Sequence, residues 1–204
     1  MSRLITNAIR STAASSDAIT LDSSGNVTFP ANATCSGTAT GFGGGKLLQV
    51  QSTTRTDTFS ESLATGTLSA DALTVNITPS NASNKIFLIA HVSMGLNNDN
   101  EVNWVFYKAG SLLTGAAGTA ASNRKPRTTV GDVRWTGTHH TFGGQYLDTA
   151  GGTSQITYAV KLGHSANGTK TVYLNRSHTD DNYIYDVRTQ STLTVMEVSV
   201  WQIH

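Results

Sequence analysis

The sequence predicts an all-β protein: a short N-terminal β segment followed by an antiparallel β-sandwich. Three observations carry this expectation. Ser, Thr, Gly, Asn and Ala dominate the 204 residues, and charged residues make up only 13%, against about 25% in an ordinary soluble domain. Helical enzymes need Glu and Lys to coat their helices, whereas Thr, Val and Tyr suit a pleated, half-buried surface. Short runs of alternating apolar and polar residues recur along the chain, and Gly, Asn and Asp turn signals fall between them.

Leu4, Ile5, Ala8 and Ile9 stand at helical spacing, so residues 3–12 read either as one or two amphipathic turns or as an extended arm. In the next segment Ile19 and Leu21 alternate with Thr20 and Asp22. Ser23-Ser24-Gly25-Asn26 turns the chain, and Val27 and Phe29 alternate around Thr28 before Pro30. This is a strand, a turn and a strand. Strands this short bury too little apolar surface to stand alone in water. The hairpin must therefore pack on the following domain, or identical copies must wrap around a shared axis. Residues 31–45 are small and glycine-rich, with Phe42 the one bulky apolar side chain. They read as a Gly/Ser-type linker or as a neck in which small residues let chains approach closely. Gly43-Gly44-Gly45 has no following Lys-Ser/Thr pair, so it is no phosphate loop. The expected division is 1–45 for arm, shaft and neck and 46–204 for the sandwich.

From Lys46 the strand signals become regular. Leu47, Leu48 and Val50 open the domain, followed by a polar run through Thr58. Leu73, Val75 and Ile77 alternate before Pro79, and Lys85 to Met94 reads as a long central strand. Asn103–Lys108 and Ser111–Thr114 form a hairpin around Ala109-Gly110. His139–Leu147, Gln155–Leu162, Thr171–Leu174 and Thr192–Ile203 complete about eight strands, the number a jelly roll needs. The pattern leaves the topology open. On the last strand, Leu193, Val195, Glu197 and Ser199 lie on one face and Thr194, Met196, Val198 and Val200 on the other. Apolar residues on both faces predict that one packs in the core and the other against a neighbouring chain or an overlying loop.

A net charge of +1 makes no case for nucleic acid or an acidic membrane. Arg124, Lys125 and Arg127 form the one basic cluster, read as a solvated loop ahead of a phosphate patch. The single cysteine, Cys35, excludes an intrachain disulfide. No run of about 18 apolar residues is present, and Met1 to Arg10 lacks the apolar stretch of a secretory signal. A protein made in a host cytoplasm and built into a particle fits.

Catalytic signals are weak, and no enzyme, cofactor or metal is expected. His139 and His140 are adjacent, so in a strand they point to opposite faces and do not share one metal readily. Ser177, His178, Asp180 and Asp181 include triad residue types, but triad members come from separate segments. Asp99 and Glu101 are the one close Asp/Glu pair, in a polar turn, where a glycosidase needs carboxylates held across the scissile bond.

Exposed aromatics flanked by polar groups, several of them in or near predicted loops, are the better lead, because flat rings pack on sugar C–H faces while polar groups bind hydroxyls. Trp104, Trp135, Tyr146, Tyr183 and Tyr185 are the candidates, with Trp104 and Trp201 expected as core or intersubunit residues. The stretches 97–100 and 115–137 read as variable tips on a rigid scaffold. The resulting receptor-binding set is Asn98, Asp99, Asn123, Arg124, Arg127, Trp135, His139 and His140.

Asp17 to Pro30 resembles the shaft segments of tailed-bacteriophage fibre and spike proteins. Gly45-Lys-Leu-Leu-Gln-Val-Gln-Ser52 and Ser191-Thr-Leu-Thr-Val-Met-Glu-Val198 are similar to the first and last strands of the small β-sandwich heads that cap such fibres. This resemblance implies a homotrimeric virion protein with a jelly-roll or TNF-like knob. It further implies attachment to other virion proteins through the N-terminal arm, and a knob facing host-surface glycan. The expected function is a non-enzymatic short tail or head fibre engaged in host attachment, with no nucleic-acid partner and no membrane insertion. A capsid or tail decoration protein is the alternative, and a glycan-hydrolysing spike a third reading.

Overall fold

The computed structural model describes residues 6, 8–10, 12, 13, 15–29, 46–184 and 186–200. The chain divides into two compact units, Met1–Gly43 and Gly44–His204. The readings of residues 31–45, Cys35, Tyr185 and Trp201 fall outside the described residues.

In the first unit, β1 (Ala8–Ile9), β2 (Ile19–Leu21) and β3 (Val27–Thr28) form an antiparallel sheet in that order. Thr20 opposes Thr28 and Leu21 opposes Val27, so the expected hairpin is present. Its turn is built by Asp22, whose carboxylate accepts hydrogen bonds from Ser24 N and Asn26 N at 2.8 Å and from Asn26 Nδ2 at 2.7 Å. Those bonds, the Asn26 side chain's first, hold the Asp22 carboxyl below its usual range. Gly25 takes φ +81°, a conformation that favours glycine. Residues 8 and 9 are extended, paired with 19 and 20, so the arm reading holds there and the helical one does not.

The second unit contains β4 (Leu47–Arg55), β5 (Phe59–Leu63), β6 (Leu68–Ile77), β7 (Lys85–Leu96), β8 (Asn100–Lys108), β9 (Ser111–Leu112), β10 (Thr129–Val133), β11 (His139–Thr149), β12 (Ile156–His164), β13 (Lys170–Leu174) and β14 (Ser191–Val198). One short 3₁₀ turn, Thr114–Ala116, interrupts them. All strand pairs are antiparallel, in two sheets. The first is built on β7: β11 runs along one edge from Lys85 to Gly95. The other edge is shared end to end by β14, opposite residues 85–91, and β13, opposite 94–96. β4 continues outward from β14 and β5 from β13. The second sheet runs β6-β12-β8, with β10 and β9 sharing the far edge of β8.

The sheets face each other as a sandwich. Ile86, Leu88, Ala90, Val92 and Met94 of β7 alternate inward, joined by Leu193 and Val195 of β14. Val75, Ile77, Val102, Trp104, Phe106, Tyr158, Val160 and Leu162 come from the second sheet. Each buried Val, Leu, Ile, Phe or Met side chain among them contributes about 1.5–3 kcal/mol. Trp104 meets Phe106 edge-on at 4.9 Å, and its indole occupies the space beside Gly144, where a Cβ would lie 2.6 Å from the ring. The expectation that Trp104 is a core residue holds.

Two strands lie where no strand was expected. Phe59–Leu63 follows the polar run that ends at Thr58, and its Ser60 and Ser62 face solvent. Thr129–Val133 lies inside the supposed loop 115–137, its apolar signal broken by Gly131 and Asp132. Gly131 is needed because the Phe142 ring fills the position of a side chain there. Tyr146, an exposed-aromatic candidate on the expected strand 139–147, sits on β11 and packs against the core. On β14 the inward face is Leu193, Val195 and Glu197, and Thr194, Met196 and Val198 are half-buried on the outward face.

Between β13 and β14 the ladder along β7 is interrupted at Ser93, and side chains complete it. Asn175, at φ +64°, donates from its amide to Arg55 O and Asp57 O and accepts from Ser191 Oγ. Ser191 Oγ in turn accepts from Ser93 N.

Candidate functional site

Two surface features stand out, one on each sheet. The first is a cleft of about 460 Å³ beside the second sheet. One wall is the β5–β6 turn at Thr65 and Gly66. The other is the irregular segment before β10, with Asn123, Arg124, Lys125 and Arg127. The sheet supplies Asn103, whose neighbours Val102 and Trp104 point into the core, so Asn103 points outward. Val130, its strand partner, lines the same cleft, as do His164 and Ser165.

Arg127 is the hinge pin of this cleft. Its Nε donates to Asn103 Oδ1 at 2.6 Å, Nη1 to Pro126 O at 2.8 Å and Nη2 to Gly66 O at 3.0 Å. All three acceptors are neutral. Burial pulls the guanidinium below its ordinary value, though arginine stays charged in proteins. Arg10, Arg55, Arg134, Arg176 and Arg188 are each ion-paired to an aspartate. Among the described arginines, Arg124 and Arg127 are the two without a carboxylate. Lys125 has none either, and no Asp or Glu lines the cleft. His164 is buried and donates through Nε2 to Leu63 O at 2.8 Å, since a carbonyl can only accept. Its Nδ1 is buried without a partner.

The second feature is an apolar row on the outer face of the first sheet. Val50 opposes Met196, Met196 opposes Phe87, and Phe87 opposes Leu147, so the row crosses β4, β14, β7 and β11 in register. Val50 is 47% and Leu147 52% exposed, while Phe87 and Met196 are half-buried. Leu48, Ile89 and Val198 flank it on the same face. Isolated exposed apolar side chains are ordinary; here four apolar side chains stand side by side across four strands.

The residues singled out from sequence do not converge on one surface. Asn123, Arg124 and Arg127 line the cleft. Asn98 and Asp99 lie in the β7–β8 turn, and Asp99 lines a separate, acidic depression with Glu101, Asp132 and Arg134. Trp135 is 69% exposed in the turn before β11, and it packs near Gly137. His139 and His140 line a third, smaller depression with Ser177 and Val187. Burial first, and His140 second, hold His139 below the usual histidine range.

The triad-type residues are engaged elsewhere. His178 Nδ1 pairs with the Tyr173 hydroxyl, and Asp180 is clamped by Arg176 and Arg188. Asn103, Thr65 and Ser165 were not singled out from the sequence; the one available signal was a lone amide inside the apolar run 102–106. No protein-family model matches the chain, and no curated protein matches it significantly in sequence.

Proposed function

We propose that this chain is a non-enzymatic structural protein of a phage virion, a short trimeric fibre whose sandwich is a jelly-roll knob serving host-surface recognition. The observation that carries the proposal is the Val50–Met196–Phe87–Leu147 row. A sheet that buries one face in its own core has no need of apolar residues on the other unless that face is covered. Identical copies are the occupant named here, because the same chain also carries a hairpin too small to stabilise itself and resembling fibre shafts. The strand order supports the jelly-roll reading. With β4, β6, β7, β8, β10, β11, β12 and β14 taken as eight successive strands, one sheet runs first-eighth-third-sixth and the other second-seventh-fourth-fifth. That is the interleaving of two Greek keys.

Light scattering on the purified chain tests the assembly, with three chains per particle expected. Adsorption of phage to host cells in the presence of excess purified protein tests the role, with competition expected. A stable monomer whose apolar row becomes buried only on the assembled particle would favour the decoration reading. A mass of three chains with no effect on adsorption would remove recognition from the proposal and leave the assembly.

A further inference from the structure

We propose that the cleft between the β5–β6 turn and residues 118–127 binds an acid-bearing saccharide, with Arg124, Lys125 and the free N–H groups of Arg127 receiving its anionic group. This deepens the recognition part of the reading above and rests on it only for biological context; the binding itself is a property of the isolated protein.

Charge comes first. Five described arginines each find an aspartate, whereas three cations converge on this cleft with no carboxylate among its lining residues. Arg127 is held rigidly by three neutral oxygens, which use three of its five N–H donors. Two donors remain on a side chain whose entropy is already spent, the arrangement that makes an arginine effective toward a carboxylate, sulfate or phosphate.

Shape and polarity define the rest of the ligand. The cleft of about 460 Å³ falls in the range of small-molecule sites. Its lining also includes Thr65, Thr119, Asn123 and Ser165, hydroxyls and an amide that match sugar hydroxyls, with Val130 as its exposed apolar side chain. No Phe, Tyr or Trp is among the lining residues and the His164 ring is buried, so stacking on a neutral sugar face is not what this site offers. Nucleic acid is disfavoured by the same absence, because single strands are held by aromatic platforms. The acidic depression of Asp99, Glu101 and Asp132 is a separate one.

The experiment titrates the full-length protein by calorimetry with a galacturonate tetramer, its neutral methyl ester, a sulfated tetrasaccharide and a short single-stranded oligonucleotide. At least one acidic saccharide is expected to bind, more weakly at higher salt, and the methyl ester not measurably. Arg124→Gln with Lys125→Gln, which leaves the Arg127 bonds in place, should weaken binding about tenfold or more with melting unchanged. Arg127→Lys should weaken it further, since lysine lacks the planar fork. Equal binding of the ester, unchanged affinity in the double variant, tighter binding of the oligonucleotide, or no binding of either acidic saccharide to folded protein would each overturn the proposal. The mass of the same sample separates the two readings: a monomer that binds the acid removes the trimeric fibre and keeps this site, and a trimer that binds none does the reverse.

Discussion

Replacing Glu197 by glutamine should destabilise the sandwich at neutral pH and abolish most of one acid-dependent step in its stability. Glu197 points into the interior from the end of β14 and is fully buried, with no ion pair to a cation among the described residues. Its Oε1 accepts from Ser80 N and Ser80 Oγ at 2.8 Å and from Asn84 Nδ2 at 2.6 Å, and its Oε2 accepts from Gln49 Nε2 at 2.6 Å. The carboxylate therefore ties β14 to β4 and to the β6–β7 turn. Burial pushes this carboxyl upward, but the bonds from Gln49, Asn84 and Ser80 together outweigh it and bring it from 4.5 down to about 2. A glutamine can keep its carbonyl where Oε1 stands, but its NH₂ then faces the NH₂ of Gln49. Gln49 cannot simply flip, because its Nε2 also donates to Thr78 O at 2.8 Å. One buried donor is left unmet, at about 1–3 kcal/mol.

The pH dependence separates this account from generic loss of packing. A carboxyl depressed on folding contributes stability that is present in full above its unfolded value and lost as pH falls through the folded one. For Glu197 that window runs from 4.5 to about 2, and the contribution at neutral pH is about 3 kcal/mol. Urea unfolding followed by tryptophan fluorescence, repeated from neutral pH down into that window, should show the wild type losing its advantage over Glu197→Gln as the window is crossed. Curves that stay parallel at every pH would refute the reasoning, because the difference would then not depend on an ionised carboxylate.

Four further outcomes follow from the same geometry. Met196→Asp places a charge at the centre of the apolar row and should reduce the mass measured by light scattering while the monomer's β circular dichroism persists; an unchanged mass would remove the row from the assembly interface. Gly144→Ala sets a Cβ 2.6 Å from the buried Trp104 ring and should cost about 1–3 kcal/mol by overpacking, read as a lowered melting temperature. Asn175→Ala loses three side-chain hydrogen bonds of a buried residue, and a residue tolerant of φ +64°, so it should be more damaging than the Gly144 change in the same melt. Trp135→Ala, at an exposed turn, should leave melting within about 0.5 kcal/mol of wild type; a larger loss would mean that the ring's packing beside Gly137 is more than a surface contact.

The strands that can be read from the sequence are those whose alternation is set by burial on one face. β6 and β12 declare themselves because Leu73, Val75 and Ile77, and Tyr158, Val160 and Leu162, recur at period two. β10 stays hidden because Gly131 is imposed by the neighbouring Phe142 ring, a contact between distant segments that no local pattern carries. The cleft is illegible for the same reason. Arg124 and Arg127 are visible as a basic cluster, but their lack of carboxylate partners is a statement about space. Asn103 and Thr65, which complete the site, are 38 residues apart in number and meet only because β8 and the β5–β6 turn lie together. The apolar row was half legible: both faces of β14 carry apolar residues, and so does the run Ile86-Phe87-Leu88-Ile89, but registering Val50 and Leu147 beside them requires the strand pairing.

The two surfaces are compatible because of where the sandwich puts them. Val50, Met196, Phe87 and Leu147 project from the outer face of the first sheet. Asn103 and the Arg127 guanidinium that it holds lie against the outer side of the second. In a two-layer sandwich the outer faces look in opposite directions, so copies associating through the apolar row would leave each cleft open to solvent. Assembly would then multiply the clefts without occluding them. Several weak acid-binding sites on one particle raise the effective concentration of each for a surface that carries many acids, strengthening attachment beyond any single site. The consequence is measurable: on a surface densely coated with the acidic saccharide, wild-type protein should dissociate far more slowly than Met196→Asp, while the two bind the free saccharide with equal affinity. Equal dissociation from the dense surface would mean that the clefts do not act together, and would separate recognition from assembly.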